Sequence, residues 1–322
     1  MAQVGAESMR FQISWPAIQQ TAGGPYDWST IDAQVAGAAS AGLTPLPFVY
    51  GTPTWAANCS NVSADLCNRV LPTKSEAGSA GWHALLSAAV ARYGPNGSFW
   101  SDPTDGYSPP YVPIRTWQIG NEANSFVFAP PRPSVGAYYR LLKISRSALR
   151  SGDGHAKLML AGLFGLPSKP GLTLSKFLNK LYQKKNAKEF FDFIAVHPYA
   201  PNLRKLIAQL EDAREAAVRN KDKKTPIVVT EIGWGSAERG SVPKPLGRLL
   251  KGERGQAMML RHAFKQLIKE RKRLKLTGVY WFTWRDTSAG SGGRCYLCES
   301  AGLLSASGGA KPSLSAYARI AG

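Results

Sequence analysis

Short runs rich in β-branched and aromatic residues alternate along this chain with longer stretches in which apolar residues recur every three or four positions. The strand-like runs are Ser8 to Ser14, Thr44 to Tyr50, Arg115 to Gly120, Lys157 to Leu163, Asp192 to His197, Pro226 to Glu231 and Thr277 to Thr283. Helical periodicity covers Ser29 to Ala41, Ser75 to Tyr93, Ser134 to Arg150, Thr173 to Lys184, Leu203 to Arg219 and Gly252 to Arg273. Strand followed by helix, repeated from end to end, is the pattern of a parallel α/β fold, because parallel neighbours need a crossover between them. With no internal linker, the pattern predicts one domain over residues 1–322.

The punctuation narrows the architecture. Long Pro, Gly, Ser and Asn-rich insertions at 51–73 and 284–309 follow strands, where a (β/α)8 barrel carries its active-site loops. The stretch 94–114 precedes a strand and is expected on the opposite face. An open doubly wound sheet would need a glycine-rich phosphate loop after its first strand. The segment after Ser14 reads Trp15, Pro16, Ala17 instead, and no nucleotide motif occurs elsewhere.

Of the 322 residues 44% are hydrophobic and 19% charged, enough apolar material for a sizeable core. No apolar run reaches the length of a membrane span, so none is expected. The opening residues MAQVGAESMR lack a basic flank with an apolar stretch, so an export signal is expected to lie outside this sequence. The net charge of +19 is uneven: residues 1–120 hold 5 basic and 7 acidic groups, which leaves +21 on the remainder. Cations near the ends of amphipathic stretches suit helix dipoles and solvated faces, and they also suit an anionic partner such as an acidic polysaccharide. Nucleic acid is not expected as a partner, since no binding motif accompanies the charge.

Four cysteines form two close pairs in polar loops, Cys59 with Cys67 and Cys295 with Cys298. Two local disulfides, and with them a secreted or cell-envelope location, are the leading expectation; free thiols or a four-thiolate zinc site are the alternatives. Sequons begin at Asn58, Asn61 and Asn96.

Carboxylates stand at two strand ends. TWQIGNE stops at Gly120 and continues Asn121, Glu122; PIVVTEIGW carries Glu231 at the end of a Val-rich run suited to a strand buried on both faces. Either alone is compatible with a satisfied salt bridge. Together, on alternating βα units, they offer the pair of carboxyl groups that glycosidic cleavage requires.

These residues resemble the clan of retaining β-glycoside hydrolases built on the (β/α)8 barrel, whose acid/base Glu follows an Asn at the end of strand four and whose nucleophile ends strand seven. Within the clan the sequence looks most like the β-xylosidase and α-iduronidase family and its bacterial relatives, through YDWS at 26–29, YGTP at 50–53, IGNE, HPY at 197–199 and TEIGW. The resemblance implies Glu122 as acid/base, protonated at rest through burial and the nearby negative charge of Glu231, and an ionised Glu231 as nucleophile. It supplies Arg10 and Tyr199 as partners of the nucleophile and places a strand-eight aromatic, Trp284, beneath the sugar. Asn121 suits the 2-hydroxyl of the sugar, and His197 would orient that network or touch sugar hydroxyls. Trp15, Trp55 and Trp234 also follow strand ends, where Trp55 and Trp234 are expected to offer aromatic platforms. Arg285 and Asp286 are read as salt-bridged loop residues or substrate contacts.

The resemblance also aligns Ser8 to Ser14 with the clan's second strand, so strand one and most of helix one of the barrel are expected to be absent from this chain. The expected function is double-displacement hydrolysis of β-O-glycosidic bonds in an oligo- or polysaccharide, without metal or cofactor. A catalytically weak carbohydrate-binding barrel and a transglycosylase are the alternatives.

Overall fold

A computed structural model describes residues 1–101, 108–167, 169–238, 246–288, 295 and 297–321. The insertion at 94–114 is therefore described except for 102–107, and that at 284–309 except for 289–294 and 296. Eight strand segments are present among the described residues: β1 (Ser8–Ser14), β2 (Thr44–Tyr50), β3 (Thr116–Ile119), β4 (Lys157–Met159), β5 (Leu163–Phe164), β6 (Ile194–His197), β7 (Ile227–Ile232) and β8 (Leu276–Trp281). They form two four-stranded sheets, ordered β1-β2-β3-β4 and β5-β6-β7-β8. The seven longer helices are α1 (Ser29–Ser40), α2 (Glu76–Tyr93), α3 (Val135–Gly152), α4 (Leu174–Tyr182), α5 (Leu203–Arg219), α6 (Gly252–Leu274) and α7 (Pro312–Ala321). The result is an α/β fold with helices alternating with parallel strands.

The predicted run Lys157 to Leu163 is divided. Met159 bridges Phe193 and Leu160 donates its N–H to the Phe193 carbonyl, so β4 ends in the first sheet and β5 begins the second four residues later. Eight segments thus correspond to seven strand-helix repeats, with β1 and β8 the end strands of their sheets.

By compactness the chain divides into two units. The first comprises residues 7–195 and 215–225, the second residues 1–6, 196–214 and 226–322; β6 and α5 cross the division.

In the first unit β1 pairs with β2 along its whole length, from Ser8 opposite Thr44 to Ser14 opposite Tyr50. β2 carries Pro45 and Pro47, which an interior strand normally rejects for want of an N–H. The register explains their presence. Thr44 donates to Glu7 on the β1 side, so by alternation the nitrogens of residues 45 and 47 face the other edge. β3 joins that edge only from Phe48 and Val49 onward, opposite Gln118 and Ile119. Helices α2, α3 and α4 begin at the side-chain caps Ser75, Ser134 and Thr173, each accepting from a backbone N–H in the first turn. The Trp82 indole donates to Ser145 Oγ at 2.9 Å and ties α2 to α3 in the core.

In the second unit β7 is buried throughout. Its pairing with β8 is irregular: Val229 faces Val279 and Ile232 faces Trp281, so β7 spends one more residue than β8 across Thr230 and Glu231. The loop after β8 is held by two buried polar side chains. Gln256 of α6 donates to the carbonyls of Trp234, Ser300 and Gly302. Lys311 pairs with Asp286 at 2.5 Å and donates to Ser236 Oγ and the Ser300 carbonyl. Asp286 accepts from the Gly302 N–H, and Arg285 donates to the Ala306 carbonyl, so both are loop-fastening residues here. Helix α7 was not expected; its Pro312 at the first helical position was the available signal.

Cys59 bonds Cys67 and Cys295 bonds Cys298, which leaves none of the four cysteines as a thiolate ligand. Mass spectrometry of unreduced protein is expected to find both bridges; four free thiols would overturn the pairing.

Candidate active site

In the first unit the chain turns sharply where β3 ends. Gly120 and Glu122 both adopt left-handed backbone, with φ of +81° and +40°; glycine takes this conformation freely, whereas a glutamate is strained in it. The turn is fixed from below. The Tyr138 hydroxyl donates to the Ile119 carbonyl and accepts from Ala161 N–H, and the Ala161 carbonyl accepts from Glu122 N–H. Asn124 then clamps the strand β5 region, donating to the Phe164 and Leu172 carbonyls and accepting from Phe164 N–H. These contacts hold Glu122 at 8% exposure with its carboxyl beyond the strand end.

Arg10 of β1 lies over the Phe48 ring at 4.0 Å and donates to Gln118 Oε1 at 2.6 Å and Asn121 Oδ1 at 2.9 Å. A guanidinium on the amide oxygen fixes which way the Asn121 amide points, turning its NH2 away from Arg10. Tyr50 at the end of β2 was missed as a site residue, although the sequence motif YGTP contains it. Its hydroxyl donates to the Phe128 carbonyl at 3.2 Å. Burial pushes its pKa up, Arg69 pulls it down and Glu122 adds a further upward push, so the phenol stays a neutral donor close enough to feel the Glu122 charge. Trp55 stands edge-on to Trp15 with ring centroids 5.6 Å apart and is half-buried, so part of its ring meets solvent.

In the second unit Glu231, 9% exposed, accepts from the Tyr199 hydroxyl at 3.0 Å through Oε2, and the same oxygen lies 3.5 Å from His197 Nδ1. The other imidazole nitrogen, Nε2, is 3.0 Å from Thr230 Oγ1. Two consecutive residues of β7 therefore reach one imidazole, which regular strand alternation forbids. The extra residue across Thr230 and Glu231 makes it possible, since a bulge re-aims side chains. His197 is fully buried, which suits orientation of Glu231 rather than sugar contact. Thr230 escaped the sequence reading because a threonine in a buried strand carries no functional signal.

One of the aromatic expectations changes. Trp234 is fully buried, tilted against Trp281 and donating to the Ala200 carbonyl, so it braces the end of β7 and offers no face to solvent. After β8, it is the Phe282 ring that stands edge-on to Tyr199, at 6.4 Å. Trp284 lies two residues further along, half-buried, with its carbonyl accepting from Leu303 and Leu304.

No protein-family model matches the chain, and no curated protein matches it. Solved structures do. A family 39 glycoside hydrolase from the gut symbiont Bacteroides cellulosilyticus WH2 aligns with 99% of this chain at a TM-score of 0.67 and 20% identity. A monomeric β-xylosidase from Caulobacter crescentus CB15 aligns with 98% at 0.65 and 17% identity. The GH53 catalytic domain from Ignisphaera aggregans aligns with 98% at 0.63 and 20% identity. The chain spans 58%, 62% and 86% of those three chains respectively. At these identities the likeness is one of fold, and the fold is the one these glycoside hydrolases share.

Proposed function

We propose that the protein is a retaining β-glycoside hydrolase, a single catalytic domain in which Glu122 is the acid/base and Glu231 the nucleophile. The observation that carries the reading is a buried carboxylate beyond the end of β3 and another at the end of β7, each fastened in a way that suits one of the two roles. Glu231 accepts a phenolic hydrogen bond from Tyr199, which stabilises the ionised form needed to attack the anomeric carbon. Glu122 is enclosed, and burial disfavours a charged carboxyl, a setting that suits holding the proton given to the leaving oxygen. Asn121, oriented by Arg10, presents its NH2 to the sugar 2-hydroxyl, a contact that strengthens at the transition state.

In the first half-reaction Glu231 bonds to the anomeric carbon while Glu122 protonates the departing oxygen. In the second, Glu122 takes a proton from water, which displaces Glu231. Both steps use carboxyl groups alone. Trp55, Phe282 and Trp284 supply flat apolar surface for the sugar. The family-level reading, β-xylosidase and α-iduronidase type, rests on the sequence motifs; two structures sharing the fold carry the names family 39 glycoside hydrolase and β-xylosidase. The two disulfides support folding in an oxidising compartment, hence secretion or residence in the cell envelope.

Proton NMR of the first product released from an aryl β-glycoside tests the mechanism. Retention of the anomeric configuration is expected, and inversion overturns it. A crystal structure is expected to place the Glu122 and Glu231 carboxyl groups about 5–5.5 Å apart, whereas separations of about 6.5–9.5 Å belong to inverting enzymes. Tyr199→Phe removes the donor to Glu231 and is expected to lower kcat about ten- to hundredfold, the worth of a hydrogen bond to a charged group. An unchanged kcat would remove Tyr199 from the machinery.

A further inference from the structure

Helix α6 carries seven cations and two carboxylates in its 23 residues. Its inner face is fixed by buried Leu260, Ala263, Phe264, Leu267 and Leu274, with Phe264 edge-on to Tyr317 of α7. On its flank Arg273 pairs with Glu270 and Glu211, so those charges satisfy one another. At about 100° per residue, Arg254, Arg261, Lys265, Lys269 and Lys272 fall in one outward sector that contains neither Glu253 nor Glu270. All five are exposed, and none forms an ion pair among the described residues. From Arg254 to Lys272 the row runs about 27 Å along the helix at 1.5 Å per residue. Met258 and Ile268 lie within the same sector, 48% and 51% exposed.

We infer that this face of α6 is a peripheral docking surface for an anionic lipid bilayer. Cations alone would suit any polyanion. The two apolar side chains decide between partners: a soluble polyanion gains nothing from Met258 and Ile268, whereas a bilayer takes headgroup contacts from the cations and admits both side chains to the acyl boundary. Association is at the surface, since no helix among the described residues is long and apolar enough to cross a membrane. The inference is independent of the catalytic reading, because none of these residues belongs to the candidate site.

The test is co-sedimentation of the full chain with phosphatidylcholine vesicles and with equimolar phosphatidylcholine and phosphatidylglycerol vesicles, with aryl glycoside turnover followed in parallel. Partitioning onto the anionic vesicles only is expected. Lys265→Gln with Lys269→Gln should weaken it about tenfold or more, and Met258→Ser with Ile268→Ser at least about threefold, with turnover unchanged in both. The Ser variant should still bind dextran sulfate like the parent. Absence of partitioning overturns the proposal, as does partitioning that Met258→Ser with Ile268→Ser leaves unchanged, which would make the face a site for soluble polyanions.

Discussion

Glu231→Ala is expected to lower kcat by about 10⁴-fold or more, the scale on which covalent catalysts fail when the nucleophile is removed. On the proposed mechanism the variant loses the atom that bonds to the anomeric carbon, and neither neighbour replaces it: the Tyr199 hydroxyl loses its acceptor and the His197 imidazole is left facing the vacated position. Glu122→Ala should fail differently. On a substrate whose leaving group needs no proton, the first half-reaction proceeds and the enzyme stalls as a glycosyl ester on Glu231. Azide is small enough to enter the space left by the carboxyl and needs no general base, so turnover should recover with formation of a β-glycosyl azide. Azide rescue of Glu122→Ala, with none giving a β-product for Glu231→Ala, separates the two roles. The reverse pattern would exchange them, and no effect of either substitution would end the glycosidase reading.

The largest effect on stability is expected from Lys311→Met. Lys311 and Asp286 are both buried, with side chains 5% and 8% exposed, so the substitution strands a carboxylate that must stay desolvated or take up a proton. Breaking a buried pair from one side costs about 3–5 kcal/mol. Chemical denaturation should show a loss of this size, and the double variant Lys311→Met with Asp286→Asn should recover part of it. A loss of under about 1 kcal/mol in the single variant would show that the loop after β8 is held without this pair.

The helices were legible because their ends are written in local chemistry. Ser75, Ser134 and Thr173 cap as their residue types predict, and α5 begins and ends where its periodicity does. Glu122 and Glu231 were legible because a carboxylate at the end of an apolar strand is costly without a purpose. What escaped depends on pairing across sequence distance. The division of Lys157 to Leu163 is imposed by Phe193, more than thirty residues away. The burial of Trp234 follows from the Ala200 carbonyl and the Trp281 ring, neither of which its own neighbours in sequence announce. The last strand, β8, begins and ends earlier than the apolar run Thr277 to Thr283 suggested.

The extra residue in β7 places part of the candidate site in a count rather than in a side chain. A gene with codon 230 deleted would still encode the candidate Arg, Asn, Glu, His and Tyr residues, and a motif search tolerant of one gap would accept its product. Ordinary strand alternation would then govern the end of β7, and the one residue left between Val229 and Ile232 could meet only one of the two imidazole nitrogens that Thr230 and Glu231 now meet together. Sequence records that differ by one residue within PIVVTEIGW should therefore be expected to lack this two-sided hold on the imidazole, however complete their motifs.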